Sequence, residues 1–157
     1  MKIKYLLLTI YFIISNLIMA NDFETDTFST SSNKDVVITF IKHGSLMLAY
    51  DGLNIQVDPV TMFADYTIFP KADIILVTHE HGDHLDSVAI NQLSKNNTRI
   101  IINQSSRDII SKGDVMKNGD NLRLTDNIEL EAVPAYNTTE GREKFHPRHR
   151  DNGYIII

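Results

Sequence analysis

The sequence predicts a layered α/β (α+β) fold in which strands predominate and short helices lie between some of them. Three observations support this. Runs of β-branched and aromatic residues begin abruptly near residue 36, and a continuous apolar run follows at residues 72–78. Two later segments carry the apolar period and the capping residues of short helices. The folded part is therefore expected to span residues 36–157 as one domain.

The first predicted strands form a meander. They span Val36–Ile41, Ser45–Tyr50 and Leu53–Val57, and the pair Asp51-Gly52 is a strong hairpin signal. The run Ile74–Thr78 is apolar nearly throughout, which is typical of a strand covered on both faces. We expect it to adjoin the meander in a mostly antiparallel sheet.

Two helices and further strands complete the prediction. Asp86 can cap a helix from about Ser87 to Lys95. A second helix near Ser106–Ser111 should end close to Gly113, because glycine favours helix C-termini. The remaining predicted strands are short and lie at residues 98–103, 121–124 and 128–133.

Composition limits the functions that need consideration. The chain has 157 residues, with 20 acidic and 15 basic side chains and a net charge of -5. A protein of this charge has no general attraction for phosphate backbones, so no nucleic-acid partner is expected. The absence of cysteine excludes disulfides, cysteine-ligated zinc and thiol catalysis. A transition metal, if bound, must be held by histidines and carboxylates.

Residues 1–20 have the pattern of a secretory signal peptide. Lys2 and Lys4 precede an apolar block that ends at Ala20. The alternative is a permanent anchor, but an apolar block of roughly 15 residues is shorter than the ~20 that span a bilayer. We therefore expect export to a bacterial periplasm or exterior, with no stable membrane span after cleavage. Residues 21–35 are rich in Ser, Thr and Asp and are predicted to be a flexible lead-in.

The strongest chemical signal is the segment HEHGDH at residues 79–84, directly after the apolar strand. Residues two apart at a strand end face the same way, so His79 and His81 can converge on one ion. Gly82 would then permit the bend that returns Asp83 and His84 to the same point. Neutral imidazoles and carboxylates suit zinc, manganese or iron.

This segment resembles the HxHxDH signature of the metallo-β-lactamase-fold hydrolases, and it lies between a buried strand and a helix as in that superfamily. The resemblance continues at residues 38–46, 56–59, 133–137, 145–147 and 152–154. The upstream segments resemble the lactonase-like branch related to ascorbate-6-phosphate lactonase. The resemblance implies an αββα sandwich and a metal-dependent hydrolase that acts on a small-molecule lactone, ester or phosphoester.

The resemblance also implies a role for each residue of the signature. His79, His81 and a later histidine would hold the first of one or two Zn²⁺ ions, with Mn²⁺ or Fe²⁺ as alternatives. Asp83 and His84 would help to hold a second ion, and a water with a lowered pKa would be the nucleophile. Asp83 is either a plain ligand or the catalytic residue that orients this water and gives a proton to the leaving group.

The third histidine of the first metal site is where the sequence departs from the family pattern. Many relatives have a Pro-Ala-x-His stretch, and here the corresponding residue is Asn137. We predict that His146, nine residues further on, supplies the imidazole instead. His149 is the weaker choice because Arg148 and Arg150 flank it and disfavour a second cation.

Three further polar residues receive supporting roles. Glu80 faces away from the two histidines beside it in an extended chain, so we expect a solvated loop residue. His43 is expected to pack behind the site or to hydrogen-bond a ligand rather than to bind metal. Asp58, before Pro59, either hydrogen-bonds a ligand histidine or ends a strand.

The length of the chain is the second departure from the family pattern. In relatives with two αββα halves, a bridging aspartate and the last histidine ligand come from the second half. This chain ends at Tyr154–Ile157, within a predicted strand. We therefore expect a truncated N-terminal half, of doubtful stability and of weak or no activity.

Three functions follow from these observations. The first is a metal-dependent hydrolase, and the second is a truncated non-catalytic remnant that retains partial metal binding. A binding module that only uses the fold as a scaffold has the least support, because no interaction surface is evident in the sequence.

Overall fold

The computed structural model describes residues 23–157, so the predicted signal peptide lies outside the described residues. The order of the helices and strands is β1 (Glu24–Ser29), β2 (Asp35–Lys42), β3 (Ser45–Tyr50), β4 (Leu53–Val57), β5 (Ile74–Val77), α1 (Ser87–Leu93), β6 (Arg99–Ile102), α2 (Gln104–Ile110), β7 (Asp114–Val115), β8 (Asn121–Thr125), β9 (Ile128–Ala135) and β10 (Asp151–Ile156). A single 3₁₀ turn at Tyr66–Ile68 lies between β4 and β5. The predicted α/β class, with strands predominating, is confirmed.

Two sheets form the described part of the chain. The larger contains β1 to β7 in sequence order, and the smaller has the order β10-β9-β8. Strands β1 to β4 pair antiparallel, whereas β4 to β7 pair parallel. The predicted meander of β2, β3 and β4 with β5 beside it is confirmed, and three of the six strand pairs in the larger sheet are antiparallel, so the sheet is mixed. The connections from β4 to β5 and from β5 to β6 are long enough to cross over, which parallel pairing requires.

Strand β1 occupies much of the predicted flexible lead-in, so that prediction is corrected. It pairs with β2 along its whole length, from Glu24 opposite Phe40 to Ser29 opposite Asp35. All six of its residues are exposed. A strand exposed on both faces needs no apolar alternation, which is why its sequence resembles a loop.

Strand β5 is buried on both faces, as its continuous apolar run predicts. Ile75 and Val77 belong to the core that also contains Ala89, Ile90 and Leu93 of α1. Ile74 and Leu76 belong to the core between the two sheets, together with Leu130 and Ala132 of β9. Burying one such aliphatic side chain contributes about 1.5–3 kcal/mol. The end of β5 is therefore a rigid base for the residues that follow it.

The helices follow their predicted caps with one exception. The Asp86 side chain accepts a hydrogen bond from the Val88 N–H at the start of α1. Asn103 is the N-cap of α2, and its side chain accepts a hydrogen bond from the Ser106 N–H. This helix ends at Ile110, close to Gly113 as predicted, but the C-cap is Ser111, which takes the left-handed conformation with φ 57°. Among residues 23–157, no helix is both long and apolar enough to cross a membrane.

Hydrogen bonds join the two sheets at the end of β5. The Asn152 N–H donates to the Thr78 carbonyl at 3.0 Å, and the Tyr154 hydroxyl donates to the Val77 carbonyl at 3.0 Å. Burial raises the pKa of Tyr154, so its hydroxyl keeps the proton that makes this bond. The start of β10 is thereby held beside the segment that carries the histidine motif.

Candidate metal centre

The HEHGDH segment forms an irregular turn between β5 and α1. The N–H groups of His84 and Leu85 both donate to the His81 carbonyl, at 2.9 and 2.8 Å, and these bonds close the turn. Gly82 does not adopt a left-handed φ, and no described atom lies within 4 Å of the position of an added Cβ. The predicted reason for this glycine is therefore wrong, since an ordinary residue would fit the same backbone.

The structure brings together the three histidines predicted for the first metal. The ligand atoms of His79, His81 and His146 lie within 4.8 Å of one another. The ring centroids of His146 lie 4.8 Å from His79 and 4.9 Å from His81. His79 is buried and the other two are half-buried. We refer to these three residues as the first histidine cluster.

A second cluster adjoins the first and consists of His43, Asp83 and His84, whose ligand atoms also lie within 4.8 Å of one another. The rings of His79 and His84 have centroids only 4.0 Å apart, so the two clusters are in direct contact. His43 Nε2 lies 3.1 Å from Asp83 Oδ2, and its side chain is 51% exposed. Of the two roles expected for His43, packing behind the site is wrong because the ring is half exposed, whereas its contact with Asp83 agrees with the second, a hydrogen bond to a predicted ligand.

A chain of hydrogen bonds determines which nitrogen of His79 is protonated. The Thr78 hydroxyl donates to Asp58 Oδ2 at 2.6 Å and lies 2.9 Å from His79 Nδ1. A hydroxyl has one proton, so Nδ1 must be the donor in the second bond. His79 Nε2 then keeps its lone pair, and this buried atom has no hydrogen-bond partner among the described residues. Such an atom fits a metal ligand, whereas an unpartnered polar atom costs free energy otherwise.

Two buried carboxylates, those of Asp58 and Asp151, contact Nδ1 of two further imidazoles, His84 and His146. Asp58 Oδ2 lies 2.8 Å from His84 Nδ1, and Asp151 Oδ2 lies 2.8 Å from His146 Nδ1. Both carboxylates are buried, so each Nδ1 donates to its carboxylate, and the lone pair of each neutral ring is then on Nε2. Asp151 was not predicted from the sequence, because an acidic residue before an apolar strand also fits an ordinary turn.

The ionisation of the site follows from burial and from these partners. Burial, and then the charge of His84, lower the pKa of His79 to about 4, so this ring is neutral at pH 7. Burial also disfavours the charged form of His84, but its hydrogen bond to Asp58 and the negative charges of Asp58, Asp83 and Asp151 together raise its pKa. Burial opposes ionisation of Asp151, yet the bonds from Arg150 and His146 lower its pKa. A neutral imidazole at His79 beside an ionised carboxylate at Asp151 belongs to the donor set that divalent ions of the zinc type prefer.

Asn137 and His149 do not join either cluster. Asn137 lines the same cavity, but its side chain donates to the Arg142 carbonyl at 3.0 Å and its N–H donates to the His146 carbonyl at 3.0 Å. It therefore shapes the loop that carries the histidine. His149 is exposed and adopts a φ of 68°. His146 lies where the third ligand of the first metal was expected. The role of His146 as a ligand stays a prediction.

Glu80 is not the solvated loop residue that its sequence position suggested. Its side chain is 18% exposed and lies 3.0 Å from the Arg150 guanidinium. It also accepts a hydrogen bond from the Ser105 hydroxyl at 2.8 Å. Arg150, which was considered only as a neighbour of His149, is thus tied into the site. The sequence contains no signal for this pairing, since the partners are far apart along the chain.

The two clusters line a cavity of about 720 Å³. Residues 135–137 and 151–153 form its opposite wall, at the ends of β9 and β10. Small-molecule sites in proteins are clefts of roughly 300–1,000 Å³ with a few convergent polar groups. The cavity therefore has the size and the polar lining of a small-molecule site.

Comparison with known proteins defines the class to which this fold and site belong. The family described as a β-lactamase superfamily domain matches residues 37–157, and the chain belongs to this family. Its fold is the metallo-β-lactamase fold, which implies a divalent metal at the histidine clusters. Among curated proteins, none matches the sequence.

Solved structures with the same fold include one with high sequence similarity. A protein from Parabacteroides distasonis, provisionally described as a metal-dependent hydrolase, is 61% identical, with a TM-score of 0.84, over 86% of this chain and 61% of that chain. A metallo hydrolase from Ignicoccus hospitalis is 18% identical with a TM-score of 0.58, over 78% of this chain and 55% of that chain. The diiron β-hydroxylase CmlA from Streptomyces venezuelae is 17% identical with a TM-score of 0.53, over 78% of this chain and 27% of that chain.

These structural similarities differ in the length of chain and in the sequence identity that they cover. The chain spans about three fifths of the length of the Parabacteroides distasonis protein. The two structures below 20% identity share the fold with this chain, although one is a hydrolase and the other a hydroxylase by description. One fold can therefore carry different reactions, and activity has to be argued from the site.

Proposed function

We propose that this protein is a metal-dependent hydrolase that uses one or two divalent ions to cleave a small-molecule lactone, ester or phosphoester. The observation that carries the proposal is the buried Nε2 of His79. It has no hydrogen-bond partner among the described residues, and the other ligand atoms of the first histidine cluster lie within 4.8 Å. Zinc is the first choice, with manganese or iron as alternatives that take the same nitrogen and oxygen donors.

Each group in the site has a distinct task in this proposal. His79, His81 and His146 hold the first ion, and Asp83 and His84 contribute to a second. A bound divalent ion supplies a water of lowered pKa and polarises the bond to be cleaved. Asp83 is 46% exposed toward the cavity, and its pKa is lowered although partial burial opposes this. Its ionised carboxylate could therefore orient a water, accept a proton from that water and then give the same proton to the leaving group.

The rim of the cavity favours substrates with a planar or anionic part. Tyr136 lines the cavity, and the guanidinium carbon of Arg148 lies 4.7 Å above its ring. A cation over an aromatic face is held in place and still presents its outer N–H groups. Arg148 itself does not line the cavity, so an anionic group of the substrate would meet this arginine only by projecting past Tyr136. The proposed assignment to the lactonase-like branch is compatible with such substrates.

The test of the proposal begins with metal binding. The purified 157-residue chain is titrated with zinc and with manganese, and turnover is assayed on a panel of lactones and phosphodiesters. Because the isolated chain is predicted to be weakly active at most, we expect little turnover. Any metal-dependent turnover should disappear in His81→Ala and persist in His149→Ala, because His149 is exposed and outside both clusters. Turnover that survives in His81→Ala, or that needs no metal, would refute the proposal.

A matched pair of variants tests the third ligand. His146→Ala removes an imidazole of the first histidine cluster, whereas Asn137→Ala removes a side chain that only bonds the Arg142 carbonyl. We expect the loss of zinc affinity to be large in the first variant and small in the second. The opposite order would give the ligand position to Asn137.

The second candidate function is a non-catalytic remnant that keeps metal binding. The chain spans 61% of the Parabacteroides distasonis structure, so metal binding by this stretch is tested separately from turnover. Two equivalents of bound metal with turnover favour the hydrolase. One weakly bound equivalent without turnover on any substrate of the panel favours the remnant.

We also propose that the protein is exported, on the basis of the basic and apolar pattern of residues 1–20. Fractionation of bacteria expressing the chain with a C-terminal tag tests this. Recovery of a shortened protein outside the cytoplasm is expected, and an unprocessed protein in the cytoplasm would contradict it.

A further inference from the structure

The loop at residues 136–150, which carries His146, connects β9 to β10 and is called the His146 loop below. Its interior bonds are local: the Asn137 N–H donates to the His146 carbonyl at 3.0 Å and the Phe145 N–H donates to the Arg142 carbonyl at 3.1 Å. These bonds give the loop a shape, but they do not attach it to the segment that carries His79 and His81. A loop of this length needs such an attachment if it is to place a side chain accurately.

Arg150 provides that attachment through one guanidinium. Its Nη1 lies 3.0 Å from Glu80 Oε1, its Nη2 donates to the Phe145 carbonyl at 2.5 Å, and its Nε donates to Asp151 Oδ1 at 2.6 Å. Each of these partners is next to a residue of the first histidine cluster or bonded to it. Glu80 lies between His79 and His81 in the sequence, Phe145 precedes His146, and Asp151 binds His146 Nδ1. The planar fork of arginine makes all three contacts at once, which a lysine ammonium does less well.

Two residues at the N-terminus of α2, the N-cap Asn103 and Ser105, hydrogen-bond the two partners of this ion pair. The Ser105 hydroxyl donates to Glu80 Oε2 at 2.8 Å, and the Asn103 side chain donates to the Arg150 carbonyl at 2.9 Å. The pair is also partly desolvated, with 28% of the arginine side chain and 18% of the glutamate side chain exposed. An ion pair with fixed partners and reduced solvent screening is stronger and more directional than a surface pair.

We infer that the ion pair of Glu80 and Arg150 is the element that positions His146 against His79 and His81. Both residues are positioning residues, since neither contributes an atom to the first histidine cluster. The inference deepens the proposed function and rests on it in one respect: His146 is taken to be a metal ligand. Outer partners of metal ligands commonly contribute about 10–100-fold in metal affinity.

Zinc affinity is the first readout. In the 157-residue chain we expect Glu80→Gln to weaken zinc binding by about 10–100-fold. We expect Arg150→Gln to weaken it at least as much, and Arg150→Lys to restore part of the loss. Asp73→Asn is the matched control, because it removes the partner of Lys95 in an ion pair at the opposite end of β5. Its zinc affinity should stay within about twofold of the wild type, as for distant independent sites.

Trypsin cleavage of the metal-free chain is the second readout. Arg142 and Lys144 are exposed in the His146 loop, and cleavage after them reports how often the loop opens. We expect faster cleavage in Glu80→Gln than in the wild type or in Asp73→Asn. Thermal unfolding of each variant, followed by circular dichroism, distinguishes local loosening of this loop from a loss of the whole fold.

The outcomes separate the inference from the proposed function. If the wild type binds no zinc while Glu80→Gln still accelerates cleavage, the proposed function fails and the attachment of the loop stands. If the wild type binds zinc and Glu80→Gln binds it equally well, the inference is overturned whatever the cleavage rate. Weaker binding in Asp73→Asn to the same extent as in Glu80→Gln also overturns it, because the effect would then follow from general destabilisation.

Discussion

Replacing Asp58 by asparagine should alter two histidines at once. This carboxylate is 2% exposed and has three donors around it: the Thr78 N–H at 2.8 Å, the Thr78 hydroxyl at 2.6 Å and His84 Nδ1 at 2.8 Å. The first donor bonds Oδ1, and the other two share Oδ2. Asparagine has one carbonyl oxygen and one NH₂ group, so it cannot accept from all three donors.

The orientation of the asparagine amide can be derived from the donors. The Thr78 N–H cannot rearrange, whereas the Thr78 hydroxyl can rotate and an imidazole can move its proton. The carbonyl oxygen therefore takes the Oδ1 position, and NH₂ faces the hydroxyl and His84 Nδ1. The hydroxyl then donates to His79 Nδ1, and both imidazoles become protonated at Nε2. Neither ring could then donate a lone pair from Nε2 to a metal.

The cost of this change can be bounded. Two charge-assisted hydrogen bonds, each contributing about 1.5–3 kcal/mol, are replaced by neutral bonds of about 1 kcal/mol. Asp58→Asn should therefore lower the free energy of unfolding by about 1–4 kcal/mol. Urea unfolding measures this loss, nitrogen-15 NMR of the imidazoles reports the protonated nitrogen, and a zinc titration reports binding. Asp126→Asn is the control, since that carboxylate is fully exposed.

We expect Asp58→Asn to fold, to show Nε2–H imidazoles at positions 79 and 84, and to lose most of its zinc affinity. The wild type and Asp126→Asn should show Nδ1–H imidazoles at both positions. Wild-type zinc affinity in Asp58→Asn, together with Nδ1–H imidazoles, would refute the hydrogen-bond chain derived from the structure.

Three further predictions concern Gly44 and Thr78, which lie beside the site, and the distant ion pair of Asp73 and Lys95. An added Cβ at Gly44 would lie 2.8 Å from His84 Cε1, so Gly44→Ala should displace this ring and weaken metal binding, measurable by zinc titration. Thr78→Val removes the acceptor of the neighbouring histidine and should lower zinc affinity by about 10–100-fold. Thr78→Ser keeps the hydroxyl and should bind like the wild type. For Asp73, burial opposes ionisation, but hydrogen bonds from Lys95 and a backbone N–H lower the pKa. Its contribution to stability is therefore present above the unfolded pKa of about 3.9 and is lost as the pH falls through the lower folded pKa. Asp73→Asn should be less stable by up to about 1 kcal/mol at neutral pH because Lys95 is partly exposed and screened, and urea unfolding should show this difference vanishing toward pH 3.

Most of the local elements could be predicted because short-range patterns determine them. The apolar run of β5 indicated a strand buried on both faces, and the predicted helix after Asp86 is present, with Ala89, Ile90 and Leu93 as its buried stripe. The HEHGDH segment lies between these two elements, outside any helix. The order of elements and the chemistry of the motif were therefore sufficient to indicate the fold and the class of site.

Sequence patterns failed where a residue has no apolar signature or where its partner is remote. Strand β1 is exposed on both faces, so nothing in its sequence distinguishes it from a loop. The change from antiparallel to parallel pairing at β4 depends on how a connection packs over the sheet, not on the residues of the strand. Local patterns contain no information on either feature.

By itself, the sequence determined which side chains are available to this site: imidazoles and carboxylates, with no thiol, at the end of a buried strand. The tertiary structure decided how they are used. It brought His146 to the motif, set Asp58 and Asp151 against the imidazoles of His84 and His146, and paired Glu80 with Arg150. The physical reason is that hydrogen bonds and ion pairs depend on distance and direction in space. Those quantities are set only when the two sheets have packed against each other.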